Sequence, residues 1–147
     1  VVYYDKYNES TELELEFTHN KSLSFTIKTS SLDEVLMQSD FITLHVPAQK
    51  EYVIGKDEFD KMKDGVGIIN AARGGVIDET ELINYIDKKK VSFAGLDTFE
   101  NEPTPSVKLL MHPKISLSPH IGAATSEAQD RIGTELADQI INYFNND

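Results

Sequence analysis

A chain of 147 residues, 39% apolar and 27% charged, suffices for one domain with a buried core and falls short of two. Its formal net charge of -11, from 25 acidic and 14 basic residues, repels phosphate backbones, and no basic stripe offsets it, which argues against nucleic acid as a partner. The absence of cysteine excludes disulfides and thiolate chemistry and fits a cytoplasmic protein, and no apolar run approaches the roughly 20 residues that would span a bilayer, so no membrane partner is expected.

Strand-like and helix-like segments alternate along most of the chain, the pattern of a parallel α/β sheet. Val1–Tyr4 reads as a β-branched and aromatic strand ending at Asp5, with no secretory signal ahead of it. Residues 11–28 break the alternation. Leu13, Leu15 and Phe17, then Leu23, Phe25 and Ile27, recur every second residue around the polar run Thr18–Lys21, which predicts a β-hairpin with one apolar face. Ser31 and Glu34 form a capping box that opens a short helix.

Phe41–Leu44 predicts the next strand, followed by a helical patch from Lys56 to Met62 and a strand at Val66–Ile69 running into Asn70. Leu82, Ile83 and Ile86 lie at helical spacing within Glu79–Lys88, and Ser92–Leu96 is again a strand. A loop with Pro103, Pro105 and Pro113 leads to a last strand at Ile115–Leu117. Ser126 with Gln129 is read as a second capping box, within a C-terminal helix over 125–145 that carries Ile132, Leu136, Ile140 and Tyr143 on one stripe. The fold class is thus α/β, a doubly wound parallel sheet of the Rossmann kind with an inserted hairpin.

Three chemically able residues stand at or just past three successive strand ends, the edge where open parallel sheets bind ligands: Arg73, Glu102 and His120. Singly each has an ordinary explanation, as a solvated arginine beside Gly74–Gly75, an acidic loop residue and a turn histidine. His19, His45 and His112 offer less, at a hairpin tip, a strand end and a loop. Together the three supply what hydride transfer at an alcohol carbon needs. A histidine takes the hydroxyl proton near neutral pH, a carboxylate orients the ring and favours imidazolium, and an arginine grips a substrate carboxylate.

The wording around them narrows the reading. Ile69–Glu79, with Asn70-Ala71-Ala72-Arg73-Gly74-Gly75, resembles the arginine signature of the D-isomer-specific 2-hydroxyacid dehydrogenases. Gly95–Phe99 through Glu102-Pro103 resembles that family's glutamate signature, and Pro119-His120-Ile121-Gly122 its histidine signature. The similarity runs from about Ser31 to the C-terminus.

The resemblance implies an NAD-dependent enzyme acting on a small 2-hydroxy or 2-keto acid, with His120 as acid/base, Glu102 as its partner and Arg73 as carboxylate anchor. It further implies that Asp97 meets the nicotinamide carboxamide and that Val46, Ala71, Ala72 and Gly122 line the cofactor beside Arg73 and His120. Asp5 matches the acidic residue on the adenosine ribose, where a carboxylate repels a 2'-phosphate and favours NAD over NADP. No metal site is expected.

A second reading is an NAD-sensing binding protein or corepressor on the same fold, and a third is a folding or dimerisation module. The glycine fingerprint G-x-G-x-x-G belongs roughly 20 residues before Asp5, yet only four residues precede it. We therefore expect residues 1–147 to be part of a dinucleotide-binding domain, lacking the first central strand and its pyrophosphate turn. The expected consequence is weak NAD binding and no turnover by these residues alone, within a full-length protein that forms a homo-oligomer.

Overall fold

The computed structural model describes residues 1–17 and 21–145, and its centre is a four-stranded parallel sheet. In chain order come β1 (Ser10–Phe17), β2 (Lys21–Lys28), α1 (Leu32–Gln38), β3 (Phe41–Leu44), α2 (Lys56–Lys61) and β4 (Val66–Asn70). Then follow α3 (Glu79–Asp87), β5 (Val91–Leu96), α4 (Val107–Leu110), β6 (Ile115–Leu117) and α5 (Ser126–Asn145). The sheet order is β3-β4-β5-β6, so each strand pairs with the next in sequence and the connections carry the helices.

Strand alternation sorts side chains onto two faces. Ile42, Leu44, Ile68, Ala94 and Leu96 are buried in one core with Leu36 of α1, Phe59 of α2, and Leu82, Tyr85 and Ile86 of α3. Phe59 stacks on Tyr85 with ring centroids 4.9 Å apart. Full burial of side chains such as Phe59, Leu36 and Leu82 contributes about 1.5–3 kcal/mol each. The residues between them, Phe41, Ile69 and Phe93, lie on the other face and are exposed. There the Phe41 and Phe93 rings close over Gly67, where a Cβ would meet the Phe93 ring at 2.6 Å.

The expected hairpin forms, with Leu13 opposite Phe25 and Leu15 opposite Leu23. These apolar residues are exposed. The turn expected at Thr18–Lys21 falls largely on residues 18–20, outside the described residues.

Three expectations need correction. Val1–Tyr4 is not a strand: β-propensity alone forms no ladder, and among the described residues this segment is tied through Ser30 N–H to the Tyr3 carbonyl and Tyr3 O–H to the Ile27 carbonyl. The loop between β5 and β6 contains α4, capped by Ser106 Oγ accepting from Leu109 N–H, with Leu109 fully buried. The cap of α5 is Thr125, not Ser126, since Thr125 Oγ1 accepts from Ala128 N–H. Gln129 turns outward from the expected box and donates to the Ala123 carbonyl. None of the residues of α5 is buried.

Candidate active site

At the end of β4 the chain must turn without leaving the sheet edge, and Asn70 arranges this. Only 3% exposed, it accepts from Ala72 N–H at 3.0 Å and donates to the Arg73 carbonyl at 2.9 Å, closing a turn that presents Ala71 and Arg73 outward. The Arg73 guanidinium rests on the Ala72 carbonyl at 2.6 Å. Gly74 follows because nothing larger fits: a Cβ there would sit 1.8 Å from the Phe99 carbonyl oxygen. Gly75 then takes a left-handed φ of 72°. The turn after Arg73 is thereby pressed against the loop after β5.

Asp97, at the end of β5, organises the loop after β6. Its Oδ1 accepts from Ser118 Oγ at 2.6 Å and from Ile121 N–H at 3.0 Å, and its Oδ2 accepts from Gly122 N–H at 2.8 Å. Burial pushes this carboxyl up, but those three hydrogen bonds and the nearby His120 outweigh it and hold it below its ordinary value. The three bonds bracket His120, whose φ of 54° lies in the left-handed region. That conformation costs about 1–3 kcal/mol in a non-glycine residue and persists where neighbours enforce it. Gly122 is required too, because a Cβ there would come within 2.9 Å of Asp97 Oδ2.

His120 and Glu102, 18 positions apart in sequence, meet with Nδ1 and Oε2 2.8 Å apart. The other carboxylate oxygen, Oε1, accepts from Phe99 N–H at 2.9 Å, so the side chain is held at both ends. The bond to His120, then that from Phe99, keeps the Glu102 carboxyl below its ordinary value. With Nδ1 facing the carboxylate, Nε2 is left to address a substrate oxygen. An open cleft of about 490 Å³ adjoins the pair, walled by Phe99, Pro103, Pro105, Leu110, Leu117 and Pro119.

The sequence-derived residues therefore fall into groups. Glu102 and His120 are in contact, Asp97 and Gly122 build the loop that carries His120, and Ala71, Ala72 and Arg73 form the adjoining turn. Val46 is half-buried two residues past β3, packed against the core. Asp5 stands apart, its carboxylate accepting from Tyr7 N–H, Asn8 N–H and the Asn8 amide. Those bonds, that from Tyr7 foremost, lower its pKa. His45 bonds Thr43 and His112 faces Asp87, while His19 lies outside the described residues. Sequence reasoning missed Asn70 and Ser118 as builders of the site and took Gly74 only as a motif letter.

The donor set suits the nicotinamide end of a dinucleotide: small residues at two strand ends admit close backbone approach, and a buried carboxylate sits between them. Among the described residues no helix is long and apolar enough to cross a membrane.

Comparison with known proteins identifies the family. The family described as the D-isomer specific 2-hydroxyacid dehydrogenase NAD binding domain matches residues 1–122. The D-3-phosphoglycerate dehydrogenase of Archaeoglobus fulgidus is 46% identical over 119 residues, covering 79% of this chain and 23% of that protein. The hydroxypyruvate reductase of Thermotoga maritima is 41% identical over 145 residues, 95% of this chain and 44% of that protein. A D-lactate dehydrogenase from Aquifex aeolicus, solved with NAD and lactic acid, aligns with a TM-score of 0.65 at 33% identity, covering 81% of this chain and 41% of that one. The chain thus spans less than half the length of these relatives. It belongs to the D-isomer specific 2-hydroxyacid dehydrogenase family, as an NAD-binding domain of the Rossmann kind.

Proposed function

We propose that the protein containing this chain oxidises a small D-2-hydroxy acid with NAD, and reduces the 2-keto acid in reverse. The observation that carries this reading is the 2.8 Å contact between His120 and Glu102 beside the Arg73 turn. In the oxidative direction His120 Nε2 removes the hydroxyl proton, while Glu102 steadies the imidazolium that results. Arg73, released from the Ala72 carbonyl, binds the substrate carboxylate and offsets charge developing on the oxygen. Ala71, Ala72, Val46 and Gly122 hold the nicotinamide end, with Asp97 at the carboxamide and Asp5 assigned to the ribose. Bound there, NAD would supply the acceptor for the hydride that leaves the carbinol carbon.

For the substrate we favour 3-phosphoglycerate, which would give the enzyme a role in serine synthesis, on the strength of the phosphoglycerate dehydrogenases among its relatives. Two further parts of the proposal, a cytoplasmic location and a homo-oligomeric full-length protein, rest on the absence of cysteine and on the exposed apolar surface respectively.

The test is NAD reduction by the full-length protein with 3-phosphoglycerate, glycerate and lactate in both enantiomers. Turnover selective for D-3-phosphoglycerate supports the full reading, and selectivity for another D-acid moves the substrate but keeps the reaction. NAD binding with no turnover of any acid would replace it with an NAD-sensing role.

A further inference from the structure

Arg73, Glu102 and His120 lie on the loops after β4, β5 and β6, so their spacing depends on what joins the loops. Glu79 opens α3, and its backbone N–H is one of the helix donors left without an internal partner. Glu100 Oε1, from the loop after β5, accepts it at 2.9 Å. In return Glu79 Oε1 accepts from Glu100 N–H at 2.8 Å. Each carboxylate thus satisfies the other residue's backbone, and one of them also meets the positive end of a helix. Glu79 is 9% exposed, uncommon for a glutamate without a cationic partner.

This exchange stands five residues beyond the point where Gly74 touches the Phe99 carbonyl, and two residues before Glu102. The same turn is fixed from its other side, where Val53 and Ile54 N–H donate to the Val76 carbonyl and Asp78 N–H to that of Ile54. Ordinary surface glutamates have no reason to be held in this way. Burial, and the charges of Glu100, Asp78 and Glu102 with it, raise the Glu79 pKa, while the bond from Glu100 N–H works against them.

We propose that Glu79 and Glu100 are positioning residues: their reciprocal carboxylate-to-backbone bonds lock the Arg73 turn onto the Glu102 loop and so set the distance between the substrate anchor and the acid/base pair. Neither touches substrate. The proposal rests on the catalytic roles given above for Arg73, Glu102 and His120, and its test separates the two.

In the full-length protein, kcat, NAD affinity and melting temperature would be measured for Glu79→Ala, Glu100→Ala, the double variant, Glu79→Gln and His120→Ala. Displacement of reacting groups by about an ångström costs on the order of 10²-fold, so each alanine variant should lose on the order of 10- to 100-fold in kcat with NAD affinity little moved. The double variant should be no worse than the more damaged single, because either change opens the same lock. Glu79→Gln keeps an acceptor oxygen and should retain most of the turnover. If the alanine variants melt earlier but turn over at the wild-type rate, or if Glu79→Gln is as slow as Glu79→Ala, the positioning role is wrong. Should Glu79→Ala fail to fold, Glu100→Ala, at a more exposed position, decides alone. A fully active His120→Ala would instead overturn the catalytic reading itself.

Discussion

His120 and Lys89 are the non-glycine residues with left-handed backbone among the described residues, and only His120 is held so by a buried carboxylate. The site is built by short side chains that fix backbone: Asn70 for the Arg73 turn, Asp97 for the His120 loop, Glu102 for its own. Gly74 is the tightest point. Gly74→Ala must move the Phe99 carbonyl or the turn itself, and overpacking of this kind costs about 1–3 kcal/mol or more. Chemical denaturation should show that loss, whereas Gly133→Ala, in open space on α5, should show none.

These residues explain why the site was only partly legible. Arg73, Glu102 and His120, the residues proposed to act, could be singled out because their side chains are chemically able and motifs surround them. Asn70, Ser118 and Glu79 could not, because their partners are backbone atoms or carboxylates brought near by folding.

At the scale of elements, strand and helix phases followed from periodicity, since one apolar face per element suffices to place it. The Val1–Tyr4 strand failed because a ladder needs a neighbour, which composition cannot report. The cap of α5 shifted by one residue because Thr125 and Ser126 are both able caps. Helix α3 offers a pH test. The Glu79 pKa is raised, so its effect on stability is favourable below the ordinary glutamate value and is lost as pH rises through the folded value. Glu79→Gln removes that loss. Its melting temperature should match wild type near pH 4 and exceed it near pH 7. The lowered Glu102 and Asp97 values act with the opposite sign, stabilising above the ordinary carboxylate range and fading as pH falls through the lowered values, in both proteins alike. A constant offset across pH would contradict the burial of an ionised Glu79.

Across the molecule, apolar surfaces lie uncovered among the described residues at the sheet face with Phe41, Ile69 and Phe93, the hairpin face with Leu13, Leu15, Leu23 and Phe25, and the stripe of α5 with Ile132, Leu136 and Ile140. Contiguous exposed apolar patches tend to associate or to be covered by other protein. Residues 1–147 alone should therefore bind an apolar dye and associate as concentration rises in size-exclusion runs. A monodisperse monomer that binds no dye would show that the faces are closed in solution. Their fate is tied to function, because the Arg73 turn and the His120 loop both spring from strands of the sheet that bears one of these faces.

The proposed role of His120, oriented by Glu102, is to move the substrate proton. Steady-state kinetics of NAD reduction by the full-length protein and its His120→Ala variant, with NAD affinity measured alongside, tests it most directly. The variant should lose about 10²–10⁴-fold in kcat with NAD affinity nearly unchanged. Wild-type turnover in the variant would contradict it.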